Sequence, residues 1–174
     1  MKINLKDYIK EVQDFPTKGV GFKDITPLLC NPRAFGYALD EMSILLSEHF
    51  DEEVKLLAGV EARGFLLGAP IAGLNSLGFV PIRKEGKLPH PKVATYATKE
   101  YGTDILEVKE NEVTFQDIII VDDVLATGGT LTATEHLLNA AGYNVIGAIV
   151  LIDLTFLHTE IKIGGKDVVS LIQY

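Results

Sequence analysis

Residues 118–130 read IIIVDDVLATGGT: Ile118, Ile119, Ile120, Val121, Asp122, Asp123, Val124, Leu125, Ala126, Thr127, Gly128, Gly129 and Thr130. Four branched apolar residues with no polar alternation describe a strand covered on both faces, the pattern of a parallel sheet. Two adjacent carboxylates follow, then a Thr/Gly turn, then a helical pattern over 130–141. Gly128 and Gly129 are both free to take positive φ. A turn of that kind at a helix start can point several backbone N–H groups at one anion. The threonine hydroxyls add donors, so the loop has the chemistry of a monophosphate cradle. No Lys follows the glycines as in a Walker A loop, and G-x-G-x-x-G is absent. Carboxylates do not attract a phosphate, but they accept hydrogen bonds from vicinal hydroxyls or sit near a metal. Phosphate donors beside diol acceptors fit a ribose 5-phosphate. Stripped of its flanks, the Asp122–Asp123 pair reads equally as a solvated turn.

Strands alternate with helices on both sides of this stretch. Asn31 and Pro32 mark a helix start, Asn as N-cap and Pro at the first position. That helix extends to about residue 50, with Phe35, Leu39, Met42, Leu45 and Leu46 on one face. VKLLAGV (54–60) is a short strand ending at the loop VEARG, residues 65–76 form a second helix, and FVPIRK (79–84) is a strand. NVIGAIVLID (144–153) and VVSLI (168–172) complete the strands. The first dozen residues read as a short helix, 14–27 as a loop, 85–100 as weakly patterned chain, and ILEV (105–108) as an edge strand. Such alternation predicts an α/β fold with a mainly parallel sheet, because parallel neighbours need crossover connections. Ligands gather at the carboxyl ends of such strands, and VEARG, RKEGK and DDVLATGGT converge there.

The chain has 174 residues, 47% of them hydrophobic, which suits one domain with a substantial core. Cys30 stands alone, so no intramolecular disulfide or cysteine-built metal site forms, and a reducing compartment is expected. A net charge of -8 argues against duplex nucleic acid as the main partner but leaves small phosphorylated ligands open. MKINLKDYIKEV is amphipathic rather than a leader, and the apolar run 145–151 is too short for a membrane span. The expectation is a soluble cytoplasmic protein with no nucleic-acid and no membrane partner. His49, His90, His136 and His158 show no metal-ligand spacing, and Cys30 has no identifiable partner for nucleophilic chemistry.

The stretch 122–130 resembles the signature of the type I phosphoribosyltransferases. DFPTKGVGFKDITPLL, GVEARGFLLGAP, FVPIRKEGKLP, KEYGTD and SLIQY resemble the adenine-using members of that family, in the same order and at similar spacings. The resemblance covers nearly the whole chain. It implies the type I phosphoribosyltransferase fold: a central mainly parallel sheet flanked by helices, all in one domain over 1–174. A small N-terminal hood (about 1–30) and a flexible lid loop (about 85–101) belong to it, as does a homodimer. The activity implied is a step of purine salvage: transfer of a 5-phosphoribosyl group from phosphoribosyl pyrophosphate (PRPP) to adenine, giving AMP and pyrophosphate. Mg2+ is the implied cofactor, held mainly by PRPP with no firm protein ligand.

Residue by residue, the resemblance gives the 5-phosphate to Ala126, Thr127, Gly128, Gly129 and Thr130, and the ribose hydroxyls to Asp122 and Asp123. Glu61, Ala62, Arg63 and Gly64 match the pyrophosphate loop, with Gly64 as a close-approach glycine; Arg63 on its own also reads as a surface ion-pair partner. Arg83, Lys84 and Lys87 match a basic motif facing pyrophosphate, although such a run also reads as a solvated charge cluster. Tyr101 joins them. Phe22 matches the residue stacked on the purine, with core packing as its plain alternative. The backbone of Gly21 and Lys23 would read the Watson–Crick edge of the base, and Val124 would cover its other face. Family members commonly carry Arg at the position of Lys23 and a bulkier aliphatic at that of Gly21. Arg63 and Glu100 are the implied catalytic residues, Glu100 relaying a proton at the imidazole edge of the purine. TYATKEYG holds one residue more between Tyr96 and Glu100 than the usual TYxxEYG. Two rivals remain: a PRPP-sensing regulator without turnover, for which no extra basic DNA-binding segment is seen, and an enzyme for another purine, against which the hood motif argues.

Overall fold

The computed structural model of the chain describes every residue except Met1, Pro16, Thr17, Val20, residues 51–53, Glu100, Tyr101 and Phe115, and except the side chains of Thr98 and Lys99. The chain divides into two compact units, Met1–Glu41 and Met42–Tyr174.

In the first unit a 3-10 turn, Leu5–Tyr8, leads into strand β1 (Lys10–Gln13), which pairs antiparallel with β2 (Gly21–Asp24). The helix expected over the first dozen residues ends after one turn. Glu11 faces Lys23 and Val12 faces Phe22 across the ribbon, and Lys23 Nζ donates to Glu11 Oε2 at 3.0 Å. Cross-strand pairs of this kind override a weak local helical pattern. The same pairing replaces part of the expected 14–27 loop with β2 and a short helix α1 (Thr26–Cys30). Helix α2 (Pro32–His49) starts where its cap predicts. Asn31 Oδ1 accepts from the N–H groups of Arg33 (3.1 Å) and Ala34 (3.0 Å).

The second unit runs β3 (Leu56–Val60), α3 (Arg63–Leu74), β4 (Gly78–Lys84), β5 (Lys92–Lys99), β6 (Gly102–Lys109), β7 (Asp117–Leu125), α4 (Gly129–Ala140) and β8 (Asn144–Asp153). A 3-10 turn (Thr155–Leu157), a small hairpin of β9 (Lys162–Ile163) and β10 (Lys166–Asp167), and β11 (Val169–Gln173) follow. Seven strands form one sheet in the order β11-β8-β7-β3-β4-β6-β5. The pairings from β11 to β4 are parallel, and β4/β6 and β6/β5 are antiparallel. The ILEV segment is therefore interior, and β5, from the weakly patterned stretch, is the edge strand. Its alternation is visible in hindsight: Ala97 is buried while Ala94 and Tyr96 face solvent.

Period-2 alternation assigns the two faces of the parallel strands. Leu56, Ala58, Val60, Ile118 and Ile120 form a core with Leu131, Leu137 and Leu138 of α4. The intervening positions Gly59, Phe79 and Val121 lie against Gly64 and Gly68 of α3. Ile118, Ile119 and Ile120 are all fully buried, each contributing about 1.5–3 kcal/mol of apolar burial. This two-sided cover makes β7 a rigid mount for the residues at its carboxyl end.

Candidate active site

Asp122 and Asp123 end the apolar run of β7 and are buried at 8% and 4% exposure. The Asp123 N–H donates to Asp122 Oδ1 at 2.9 Å. Arg63, the first residue of α3, places its Nε 2.9 Å from Asp123 Oδ2, but off the hydrogen-bond line, so that oxygen is left without an aligned donor. Burial pushes both carboxyls up. On Asp122 the neighbouring Asp123 adds to it, so Asp122 is raised well above the usual range; on Asp123 the Arg63 charge opposes it. The pair is short of donors, which is what two vicinal hydroxyls supply.

The turn after β7 takes positive φ only at Gly128, at +80°; Gly129 is already the first residue of α4 and does not. A Cβ at position 128 would lie 2.3 Å from Ile161 Cδ1, a side-chain end that can turn aside, so the backbone angle is what requires glycine. The first N–H groups of α4 have no intrahelical acceptor, by the geometry of any helix start. Gly128 O accepts from Thr132 N–H at 3.0 Å, and Thr130 O from Thr134 Oγ1 at 2.8 Å, which fixes the helix behind the turn.

Residues 153–161 buttress this turn, a role not read from the sequence. Leu154 N–H donates to Leu125 O at 2.9 Å. His158 Nε2 lies 2.7 Å from Asp153 Oδ1, and its Nδ1 lies 2.5 Å from Thr159 O. Burial opposes the charged ring, but the Thr159 carbonyl and Asp153 outweigh it and raise its pKa. Ile161, at the end of this segment, abuts Gly128. The four histidines show no metal-ligand spacing, and His158 instead closes the short loop after β8 back onto Asp153 at the end of that strand.

One strand over, Glu61 follows β3, and the Glu61–Ala62 peptide is cis. Its carboxylate accepts from Lys87 Nζ, from Arg83 Nε at 3.1 Å and from Lys84 N–H at 2.8 Å. The Lys87 hydrogen bond, assisted by Lys84 N–H and Arg83 against the cost of burial, holds its pKa down to about 2. Lys84 Nζ pairs with Asp104 at 3.2 Å, and Lys92 Nζ with buried Glu107 at 2.6 Å. The basic run read from the sequence is thus matched by carboxylates from other strands. Arg83 Cζ also lies 5.9 Å from the centre of the Phe65 ring. Gly64 is a close-approach glycine, as expected: a Cβ there would sit 2.8 Å from Val121 O and 3.1 Å from Asp122 Oδ1.

The structure therefore brings Asp122, Asp123, Arg63, Gly64 and the 126–130 turn together at the carboxyl edge of the sheet, with Glu61, Arg83 and Lys87 joined beside β3 and β4. Ala62 is exposed, and Val124 is half-buried opposite Ile152. In the first unit Phe22 packs edge-on against Phe15 at 5.2 Å, and the buried Lys23 side chain is engaged by Glu11. Glu100 and Tyr101 lie outside the described residues. Among the described residues no cluster of three or more His, Cys, Asp or Glu gathers as a metal site. The hard oxygen donors at this edge, Asp122 and Asp123 with the under-bonded Oδ2, are of the kind that suits Mg2+.

The profile of the family described as Phosphoribosyl transferase domain matches residues 31–169. The chain is 45% identical to the adenine phosphoribosyltransferase of Thermotoga maritima, covering 99% of each. Its fold is similar to the crystal structure of adenine phosphoribosyltransferase from Thermoanaerobacter pseudethanolicus, with a TM-score of 0.86, 42% identity and 98% of each chain covered. The Saccharomyces cerevisiae adenine phosphoribosyltransferase, complexed with an imino-altritol 1,6-bisphosphate and adenine, matches at a TM-score of 0.83 and 33% identity, over 97% of this chain and 95% of that one.

Proposed function

The chain belongs to the phosphoribosyl transferase domain family, and from that premise we propose how its residues move a 5-phosphoribosyl group from PRPP to adenine, giving AMP and pyrophosphate. The observation that carries the reading is the buried Asp122–Asp123 pair set directly before the Gly128 turn and the start of α4, in a chain similar end to end to adenine phosphoribosyltransferases.

In this reading the backbone of Ala126, Thr127, Gly128, Gly129 and Thr130 holds the 5-phosphate, helped by the α4 dipole. The ribose hydroxyls donate to Asp122 and Asp123. Arg63, Arg83, Lys84, Lys87 and Tyr101, with Glu61, Ala62 and Gly64 shaping the loop, receive the pyrophosphate; a guanidinium with several donors suits that ligand. Mg2+, when bound, would be held mainly by PRPP oxygens and would supply positive charge toward the pyrophosphate. Departure leaves positive charge on the ribose, an oxocarbenium-like state, and the buried carboxylates present negative charge beneath it. Adenine attacks through N9 and loses a proton that Glu100 relays. Phe22 stacks on the base, the backbone of Gly21 and Lys23 reads its edge, and Val124 covers its other face. The lid over 85–101 excludes water, which would otherwise capture the cation.

The protein works in the cytoplasm as a homodimer. Leu66 and Leu74 on α3 are exposed apolar groups of the kind a second copy covers, and no helix among the described residues is long and apolar enough to cross a membrane. Incubation with PRPP, Mg2+ and each purine separately tests the activity: AMP and pyrophosphate form with adenine. A 6-oxo purine reverses the donor pattern, and each mispaired buried group costs about 1–3 kcal/mol. Equal turnover of hypoxanthine contradicts the specificity, and PRPP binding without AMP formation returns the sensor reading.

A further inference from the structure

Arg83 and Lys87, the two cations given to pyrophosphate, are both held by one carboxylate. Lys84 and Lys92 have their own partners in Asp104 and Glu107, so among the described residues Arg83 and Lys87 share Glu61 as their ion-pair partner. The three side chains differ in freedom. Glu61 is 10% exposed, whereas Arg83 is 32% and Lys87 46% exposed. A third donor, the Lys84 N–H at 2.8 Å, belongs to the main chain of β4 and cannot swing away. The carboxylate is therefore anchored, and the two cations are the parts able to move.

We propose that Glu61 is an exchange anion for pyrophosphate: it holds Arg83 and Lys87 when pyrophosphate is absent, yields them when pyrophosphate binds, and takes them back as it leaves. The inference rests on the reading of Arg83 and Lys87 as pyrophosphate contacts. Physically, two positive charges shared with one fixed negative charge leave a net single charge to attract the ligand. Pyrophosphate must displace a carboxylate that then stays close, held by Lys84 N–H, and repels it. Its affinity is lowered accordingly and its release is favoured, because the cations it abandons do not return to water unpaired.

Glu61→Gln keeps the shape and the acceptor for Lys84 N–H while removing the charge. The expected result is pyrophosphate binding at least about tenfold tighter by calorimetry with Mg2+ present, together with slower pyrophosphate release. Damage to a merely structural residue does not tighten ligand binding. Unchanged or weaker pyrophosphate binding in a folded Glu61→Gln protein overturns the inference. Where Gln perturbs folding, Glu61→Ala also removes the charge and the same tightening is required. Arg83→Ala separates the two levels: it weakens pyrophosphate binding if the site reading is right. If it leaves that affinity as in the parent, the site reading fails; if it weakens binding while the Glu61 variants do not tighten it, only the exchange role fails.

Discussion

Asp122 and Asp123 are buried side by side with raised pKa values and one under-bonded oxygen. If the proposed ribose site is right, its hydroxyls are neutral donors that favour the ionised form, and PRPP binding is expected to release protons from the pair. Affinity for PRPP is expected to rise with pH through the titration of the pair, with proton release visible as a buffer-dependent heat in calorimetry. Asp122→Asn removes that dependence; a variant that keeps the parent's pH profile contradicts the assignment. Glu100→Gln keeps hydrogen-bonding reach without an ionisable group. The expected kcat falls by about 10²–10⁴-fold with PRPP affinity little changed, and a kcat within about twofold of the parent places the proton relay elsewhere. The acidic pair and the glycines were legible because their meaning is local: a strand, a turn and a helix start within thirteen residues. The partners of Glu61 were not, because Arg83, Lys84 and Lys87 come from the neighbouring strand and the loop after it, and only the sheet brings them together; His158 meets Asp153 five residues earlier, but no pattern in that stretch marks the closure.

The elements legible in sequence were those whose burial leaves a period. The apolar runs of β3, β7 and β8 and the Asn31 cap fixed the parallel half of the sheet. β1, β2 and β5 are amphipathic, and their conformation is set by cross-strand pairs that no single stretch displays; of β6 only ILEV reads as a strand. The meeting of α3 with the end of β7 is the joint on which the site depends. A Cβ at Gly64 would sit 2.8 Å from the Val121 carbonyl, a backbone atom that cannot turn aside. Gly64→Ala is expected to destabilise by about 1–3 kcal/mol through overpacking, measured by chemical denaturation. It should also shift Asp122 and so weaken PRPP. Stability within about 0.5 kcal/mol of the parent would show that this joint has slack.

For the molecule as a whole, stability against pH has two opposing parts. Glu61 has its pKa lowered from 4.5 to about 2, so its contribution is complete above 4.5 and is lost as pH falls toward 2. Asp122 and Asp123 are raised, so they favour folding while protonated, and that contribution is lost as pH rises through their folded values. Between pH 4.5 and 2 the parent is expected to lose more thermal stability than Glu61→Gln; parallel losses contradict the assignment of the lowered pKa. Saturating AMP should add stability by mass action, about 2.7 kcal/mol at a hundred times its Kd. The central claim is that the turn at Gly128 is the seat of the 5-phosphate, and calorimetric titration of PRPP and of AMP into Gly128→Val tests it most directly. At φ +80° and with Ile161 against it, a branched side chain there must displace the turn. Both ligands are predicted to bind at least tenfold more weakly, about 1.4 kcal/mol. Unchanged affinity for both in a folded variant would contradict the account.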